Sequence, residues 1–566
     1  MRAAKLTLIC ALLSAVAVIG LAGPHDRTQP SLVVVFVVDQ LPAGTLERLH
    51  DQLTGGYRRF LDEGLSWSGC RHAHALTLTG PGHATLLSGL DPGRTGIILN
   101  DWHDRDAHRE TYCVGDYGAT AKPGFDGAQA VTAGGLQGEF LADLIKRTNP
   151  ASKVYAVSGK DRAAILTGGH RSDGSFWYSS RTGGFTSNPS IIAGLPAWGG
   201  AFWDGDVLAS PLYRDGIPAE WTYPIRAGAS PDDYPFEGSV YSRVAPHPVT
   251  RTEGAEIKPE DRVKTIAKRI LYTPWLDWLT LQLAGKIIDE AKLGADAAPD
   301  LLVVSLTAAD VVGHTYGPDS QEYLDLILRV DGWVGDLMRH ADGAAAKAGR
   351  GGALFALSAD HGVLPLPERV EGGRRIDGPD LERRIEAAIA GRLKADGGEQ
   401  GRVIEAIRDG HVYFDRRTLE KLGVTLERAM DESRRALSGF WEIRRIYRRD
   451  ELDIAAVGTA GDPFLEAYRR SWNAQRGGDL VLQFCEKCLV FSAATGTDHG
   501  SPYEYDRRVP MMLLGPGIRR GRNDGACATV DLAPTLADLL GMTFESPRDG
   551  RSLLPAGKVD SVAGHK

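Results

Sequence analysis

The chain has 566 residues, of which 43 % are hydrophobic and 24 % charged. Those proportions exclude a disordered, collagenous or polytopic membrane chain. With 65 Lys and Arg against 73 Asp and Glu, the net charge of −8 argues against sequence-independent nucleic-acid binding, which needs clustered cations.

Arg2 and Lys5 precede an apolar run from Leu6 to Ala22, which ends in Gly20-Leu21-Ala22 ahead of Pro24. Small residues at the cleavage positions and the switch to polar sequence predict a secretory signal over residues 1–22. A single membrane anchor is the alternative. The mature chain is expected to be exported and soluble, secreted or periplasmic. In an oxidising compartment, bridges Cys70–Cys113 and Cys485–Cys488 are expected, with Cys527 left over. Cys485-Glu-Lys-Cys488 alone is a weak zinc signal, because no second ligand pair lies at finger spacing.

Short continuous apolar runs read as buried parallel strands. The first, Leu32–Val38, ends in Asp39. Next comes Thr77-Leu-Thr79-Gly-Pro-Gly-His83, where Gly80, Pro81 and Gly82 allow a tight turn into a short helix. Thr79 then sits at the positive end of that helix, where an anion is favoured; taken singly, it is an N-cap. Asn100-Asp101-Trp102 follows, and the strand Val154–Val157 leads into Ser158-Gly-Lys160-Asp-Arg162. An amide, an ammonium and a guanidinium facing one pocket suit a doubly charged phosphoryl group, whereas apart they are ordinary surface groups.

Residues 177–269, rich in Gly, Pro, Trp and Tyr, read as a loop-rich insertion. Leu276–Ala291 and Tyr323–Leu337 carry helical spacing. Between them the strand Leu301–Leu306 precedes Asp310-Val-Val-Gly-His314, whose spacing puts both side chains on one side of a helical turn. Ala353–Leu357 precedes Asp360-His361-Gly362. Residues 369–490 read as a small inserted α+β subdomain, with helices over Pro379–Lys394, Thr425–Leu437 and Pro463–Trp472 and strands over His411–Phe414, Trp441–Tyr447 and Leu480–Phe484. His499-Gly500 lies before the strand Met511–Leu514. The helix Asp531–Gly541 then has Pro534 in its first turn.

Alternating strands and helices predict a three-layer α/β/α sandwich with a mostly parallel central sheet. The catalytic parts are expected at 30–176, 270–368 and 491–556. Ligands of such a sheet bind outside the carboxyl ends of its strands. Asp39, Asp310, His314, Asp360, His361 and His499 therefore gather at one edge. Singly, each is a cap or a hydrogen-bonded structural residue; together, three Asp and three His suit two divalent cations of the zinc type.

The ordered set of Asp39, Thr79-Gly-Pro-Gly-His, Asn100-Asp-Trp, Asp310-x-x-x-His314, Asp360-His361-Gly and His499-Gly resembles the alkaline phosphatase superfamily. More narrowly it is similar to the nucleotide pyrophosphatase/phosphodiesterase-related branch with a threonine nucleophile. Lys160-Asp-Arg162 resembles the phosphomonoesterases of that branch, the PafA-like alkaline phosphatases. The resemblance implies two Zn2+ ions per chain. Asp310, His314 and His499 would hold one; Asp39, Asp360 and His361 would hold the other, joined by Thr79 as an alkoxide. It further implies a phosphothreonine intermediate, with Asn100, Lys160 and Arg162 on the non-bridging oxygens. Small phosphorylated compounds are then the expected substrates, with no nucleic-acid partner and no membrane partner after signal cleavage. The expected activity is that of an exported phosphate monoesterase. A phosphodiesterase using the same site is the alternative, since such enzymes share Thr79, Asn100 and the six ligands but have no equivalent of Lys160 and Arg162. Sulfatases of the superfamily need Cys or Ser in Cys/Ser-x-Pro-x-Arg, where Thr79 and His83 stand here. A binding protein that had lost catalysis would be expected to lack a ligand or the nucleophile, and none is missing.

Overall fold

The computed structural model describes residues 29–118, 130–203, 210–238, 240, 242–251, 257–349, 352–393, 402–453 and 462–554. The expected signal segment lies outside them. Among the described residues no helix is long and apolar enough to cross a membrane.

A nine-stranded sheet organises the molecule. In chain order its strands are β1 (Leu32–Val38), β2 (Leu65–Trp67), β3 (Val154–Ser158), β4 (Gly174–Tyr178), β5 (Phe185–Thr186), β6 (Asp300–Leu306), β7 (Leu354–Ser358), β8 (Met511–Leu514) and β9 (Gly521–Asn523). They lie side by side as β9-β2-β8-β7-β1-β6-β3-β4-β5. The five strands β7-β1-β6-β3-β4 are mutually parallel. Met511–Leu514, read from its apolar run as parallel, is antiparallel to both neighbours. A fully buried run does not encode strand direction, which the connections set.

The pleat of β1 explains the three layers, because successive side chains point to opposite faces. Leu32, Val34, Phe36 and Val38 enter one core with the helices α3 (Trp275–Glu290) and α5 (Gln321–Ala346). Val33, Val35 and Val37 enter the other with α1 (Thr79–Ser88), α2 (Asp161–Gly168) and α6 (Leu532–Leu539). Both faces are thus apolar, which is why β1 reads as a continuous hydrophobic run. A third, separate cluster from Ile376 to Val490 packs around a four-stranded sheet of Ile404–Arg408, His411–Phe414, Leu480–Phe484 and Ile443–Arg448. The fold is a three-layer α/β/α sandwich with an inserted α+β unit.

Register fixes the functional edge. Val38 lies opposite Leu306, Ser305 opposite Ser158, and Val37 opposite Ser358. The segments carrying Asp39, Lys160, Asp310 and Asp360 therefore leave the sheet side by side.

Cys70 pairs with Cys527, Cα atoms 4.5 Å apart, and Cys485 with Cys488. Cys113 is a buried free thiol. The expected Cys70–Cys113 bridge is thus corrected. Cys70 follows β2 and Cys527 follows β9, and these strands pair in parallel, which brings two cysteines 457 residues apart into contact.

Candidate active site

Asp39 is the first residue beyond β1, and its amide donates to Leu306 O at 2.9 Å, extending the ladder by one step. Gln40, at φ 63°, turns the chain away, and its amide donates to Asp360 Oδ1 at 3.1 Å. Its side-chain Nε2 donates to Asp310 Oδ1 at 3.0 Å, so one glutamine spaces two carboxylates that follow different strands. Asp310 and His314 project from α4 (Ala308–Tyr316), with His314 Nε2 3.0 Å from Asp310 Oδ1. The start of α4 is held from outside the site. Buried Asp277, on α3, accepts the amides of Thr307 and Ala308 at 2.7 and 2.9 Å.

Thr79 opens α1 and is 1 % exposed. The N-cap position belongs to Leu78, so the Thr79 hydroxyl is not spent on the helix terminus. Arg162 Nη2 donates to its Oγ1 at 3.3 Å and Lys160 Nζ at 3.4 Å. Lys160 also donates to Asp39 Oδ2 at 2.6 Å and Asp310 Oδ2 at 2.5 Å. Asn100 Oδ1 accepts the Gly80 amide at 2.7 Å. Gly82 is required by crowding, because a Cβ there would lie 2.2 Å from Asp360 O. His83 anchors the same helix, sharing hydrogen bonds with Thr79 O at 2.9 Å and Ser305 Oγ at 2.8 Å.

The imidazoles are oriented from behind. Nδ1–H of His361 donates to Gly362 O at 2.9 Å, that of His314 to Thr497 O at 2.8 Å and that of His499 to Thr77 O at 2.7 Å. A carbonyl only accepts, so each ring presents Nε2 to the carboxylates, the usual arrangement of metal-ligating histidines. Burial pushes His361 down to about 4 and His499 to about 3, which keeps both neutral and able to ligate. Burial, with the negative charges of Asp310 and Asp360, drives the Asp39 carboxyl well above the usual carboxylate range.

Three potential ligand groups overlap here: Asp39, Asp360 and His361; Asp310, His361 and His499; and His314, Asp498 and His499. Within the first, Asp39 Oδ1, Asp360 Oδ2 and His361 Nε2 are buried without a hydrogen-bond partner. Buried polar atoms are ordinarily paired. Two carboxylate oxygens and one imidazole nitrogen left bare around one point are a donor set that fits a zinc-type cation. All the residues singled out in the sequence converge on this edge. Sequence reasoning passed over three others. Gln40 could have been noticed from its place beside Asp39, and Asp498 from its place before His499. Nothing in the sequence flags Asp277.

Residues 33–487 match the family described as type I phosphodiesterase / nucleotide pyrophosphatase. The chain is 29 % identical over 554 residues to the alkaline phosphatase PafA of Elizabethkingia meningoseptica, covering 96 % of this chain and 98 % of that one. It is 30 % identical over 572 residues to the alkaline phosphatase PhoK of a Sphingomonas species, covering 95 % and 93 % respectively. The crystal structure of wild-type PafA superposes with a TM-score of 0.81 at 28 % identity, over 93 % of this chain and 98 % of that one. The family match runs along most of the chain, the relatives align nearly end to end, and the fold is shared. The chain therefore belongs to the type I phosphodiesterase / nucleotide pyrophosphatase family and is a hydrolase of the alkaline phosphatase superfamily.

Proposed function

We propose that this phosphatase hydrolyses phosphate monoesters through a phosphothreonine formed on Thr79. The observation that carries the reading is the convergence of Lys160 Nζ and Arg162 Nη2 on Thr79 Oγ1, at 3.4 and 3.3 Å. Two zinc ions, one held by Asp310, His314 and His499 and the other by Asp39, Asp360, His361 and Thr79, would supply Lewis-acid stabilisation of the oxygens entering and leaving phosphorus. Every other role falls to the chain itself. Positive charge from Lys160 and Arg162 favours the deprotonated Thr79 oxygen, which a threonine hydroxyl needs to be nucleophilic. Its attack forms the Thr79 Oγ1–P bond as the P–O bond to the alcohol breaks, and water then cleaves the phosphothreonine to phosphate. Asn100 commits its carbonyl to the Gly80 amide, which leaves its NH2 for a substrate oxygen. Asn100, Lys160 and Arg162 together match the three non-bridging oxygens of a monoester, and preorganised donors at such oxygens are a large part of catalysis. Export is supported by the apolar N-terminal run and by two disulfides, which persist in oxidising compartments.

Rates on an aryl phosphate monoester and its methyl diester test the assignment. Wild type should favour the monoester. A charge-assisted contact is worth ~1.5–3 kcal/mol and ~1.36 kcal/mol is tenfold in rate. Lys160→Ala and Arg162→Ala should therefore each cost the monoester roughly ten- to a hundredfold, and the diester far less. Faster diester hydrolysis by wild type, or an equal fall on both substrates, would make the protein a phosphodiesterase.

A further inference from the structure

We propose a second, separate cation site of the zinc type, formed by His103, His108 and Glu405, that clasps the hairpin after Asn100 to the inserted α+β unit. The hairpin consists of strands Asp101–Asp104 and Arg109–Tyr112. It begins next to Asn100 and ends at Tyr112, whose hydroxyl donates to Asp161 Oδ1 at 2.5 Å. His103 lies in its first strand. His108 lies in its turn, at φ 51°. Glu405 comes from the strand Ile404–Arg408 of the inserted sheet.

Three details point to a ligand. One potential ligand atom from each of the three residues lies within 4.8 Å of the other two. Glu405 Oε1 is 3.2 Å from His103 Nε2 and 2.5 Å from His108 Nδ1. His103 is 7 % exposed and its Nε2, aimed at Glu405, makes no hydrogen bond. Glu405 itself falls where the pairing with His411–Phe414 slips, between Ile404 and Ala406. A bulge of this kind leaves one residue unpaired and re-aims its side chain. Two imidazoles and a carboxylate, borne on separate elements, are a zinc-type set, with a fourth position for water. Glu405 is 20 % and His108 46 % exposed at the side chain, so the site has an entry path from solvent. None of the three belongs to the Thr79 site.

The test is zinc content, measured on the full protein after equilibration with zinc and passage through metal-free buffer. His108→Ala and Glu405→Gln should each carry about one ion per chain fewer than wild type, because loss of a ligand weakens coordination. The comparison is a difference, so it holds whatever the Thr79 site retains; His361→Ala in parallel reads that site independently. Unchanged content in both variants overturns the proposal. Anomalous diffraction at the zinc edge from wild-type crystals gives a check that needs no variant. A peak is expected about 2.0–2.1 Å from His103 Nε2 and His108 Nδ1, and its absence from zinc-equilibrated crystals overturns the proposal equally.

Discussion

At the scale of single residues, the site is a buried hydroxyl between two cations, at the edge where carboxylates and imidazoles collect. Thr79→Ala removes the proposed nucleophilic oxygen, so turnover should fall roughly 10³-fold or more, while Asp39, Asp360 and His361 should still hold zinc, so that the loss of rate far exceeds any loss of metal. Thr79→Ser keeps the oxygen and should retain measurable activity. A Thr79→Ala protein with wild-type rates would eliminate covalent catalysis. Chelation should abolish hydrolysis and added zinc restore it, and His361→Ala and His499→Ala should each lower zinc content, as expected when a ligand is lost. The residues that the sequence reveals are those with a positional signature. Asp39 ends a strand, Asp310 and His314 share a helical turn, and Asp360-His361 follows a buried run. Gln40 and Asp277 have none. Their importance lies in hydrogen bonds to partners 270 and 30 residues away, which only the folded chain brings together.

Among the elements, α1 and α4 are held to tolerances that individual side chains set. A methyl group on Gly82 would meet Asp360 O at 2.2 Å and Asp360 Cβ at 2.8 Å, and neither is a flexible end that can swing aside. Gly82→Ala should destabilise the protein by about 1–3 kcal/mol, the usual cost of overpacking, and should lower activity by displacing Asp360; denaturant midpoints and rates together check this. Asp277 tests the other helix. Asp277→Ala leaves two buried amides unpaired at about 1–3 kcal/mol each, whereas Asp277→Asn keeps an accepting oxygen and should cost less. Burial pushes the Asp277 carboxyl up to about 7, against the pull of its two amide donors. A raised folded-state pKa means that its contribution to stability is complete below the ordinary value near 3.8 and is lost as pH rises through about 7. Unfolding midpoints between pH 4 and 8 should therefore slope less steeply in Asp277→Asn than in wild type. Strands buried on both faces, such as β1 and β6, are plain in sequence because their apolar residues run on continuously, through all of β1 and over Leu301–Val304 of β6. The strands β2, β5 and β9 are too short for any periodicity. β4, Gly-Ser-Phe-Trp-Tyr, has no continuous aliphatic run, and its place is set by pairing with β3.

For the molecule as a whole, the cysteines show what sequence order cannot supply. An oxidising compartment predicts bridges, with Cys70 expected to join Cys113, but sequence order does not fix which cysteines pair. The sheet decides otherwise. β2 and β9 align in register, Leu65 with Gly521 and Trp67 with Asn523, and just beyond them the Arg71 amide donates to Cys527 O at 3.3 Å. Cys113 instead lies beneath the start of α1, where a Cβ on Gly80 would come 3.3 Å from its Sγ. Burial pushes its thiol well above the ordinary range, so it is held as an unreactive thiol, since the thiolate is the nucleophile. Peptide mapping without reduction should link the peptides that contain Cys70 and Cys527 and recover Cys113 as a free thiol; a Cys70–Cys113 peptide would contradict this arrangement. A cross-link closing so long a loop acts mainly on the unfolded chain, so Cys70→Ser/Cys527→Ser should lose about 2–5 kcal/mol of stability. The bridge lies at the β9–β2 edge of the sheet, on the far side of β8 and β7 from β1. The double variant should accordingly unfold at lower denaturant while keeping wild-type rates under native conditions. Equal loss of activity and stability would mean instead that the bridge sets the geometry of the site itself.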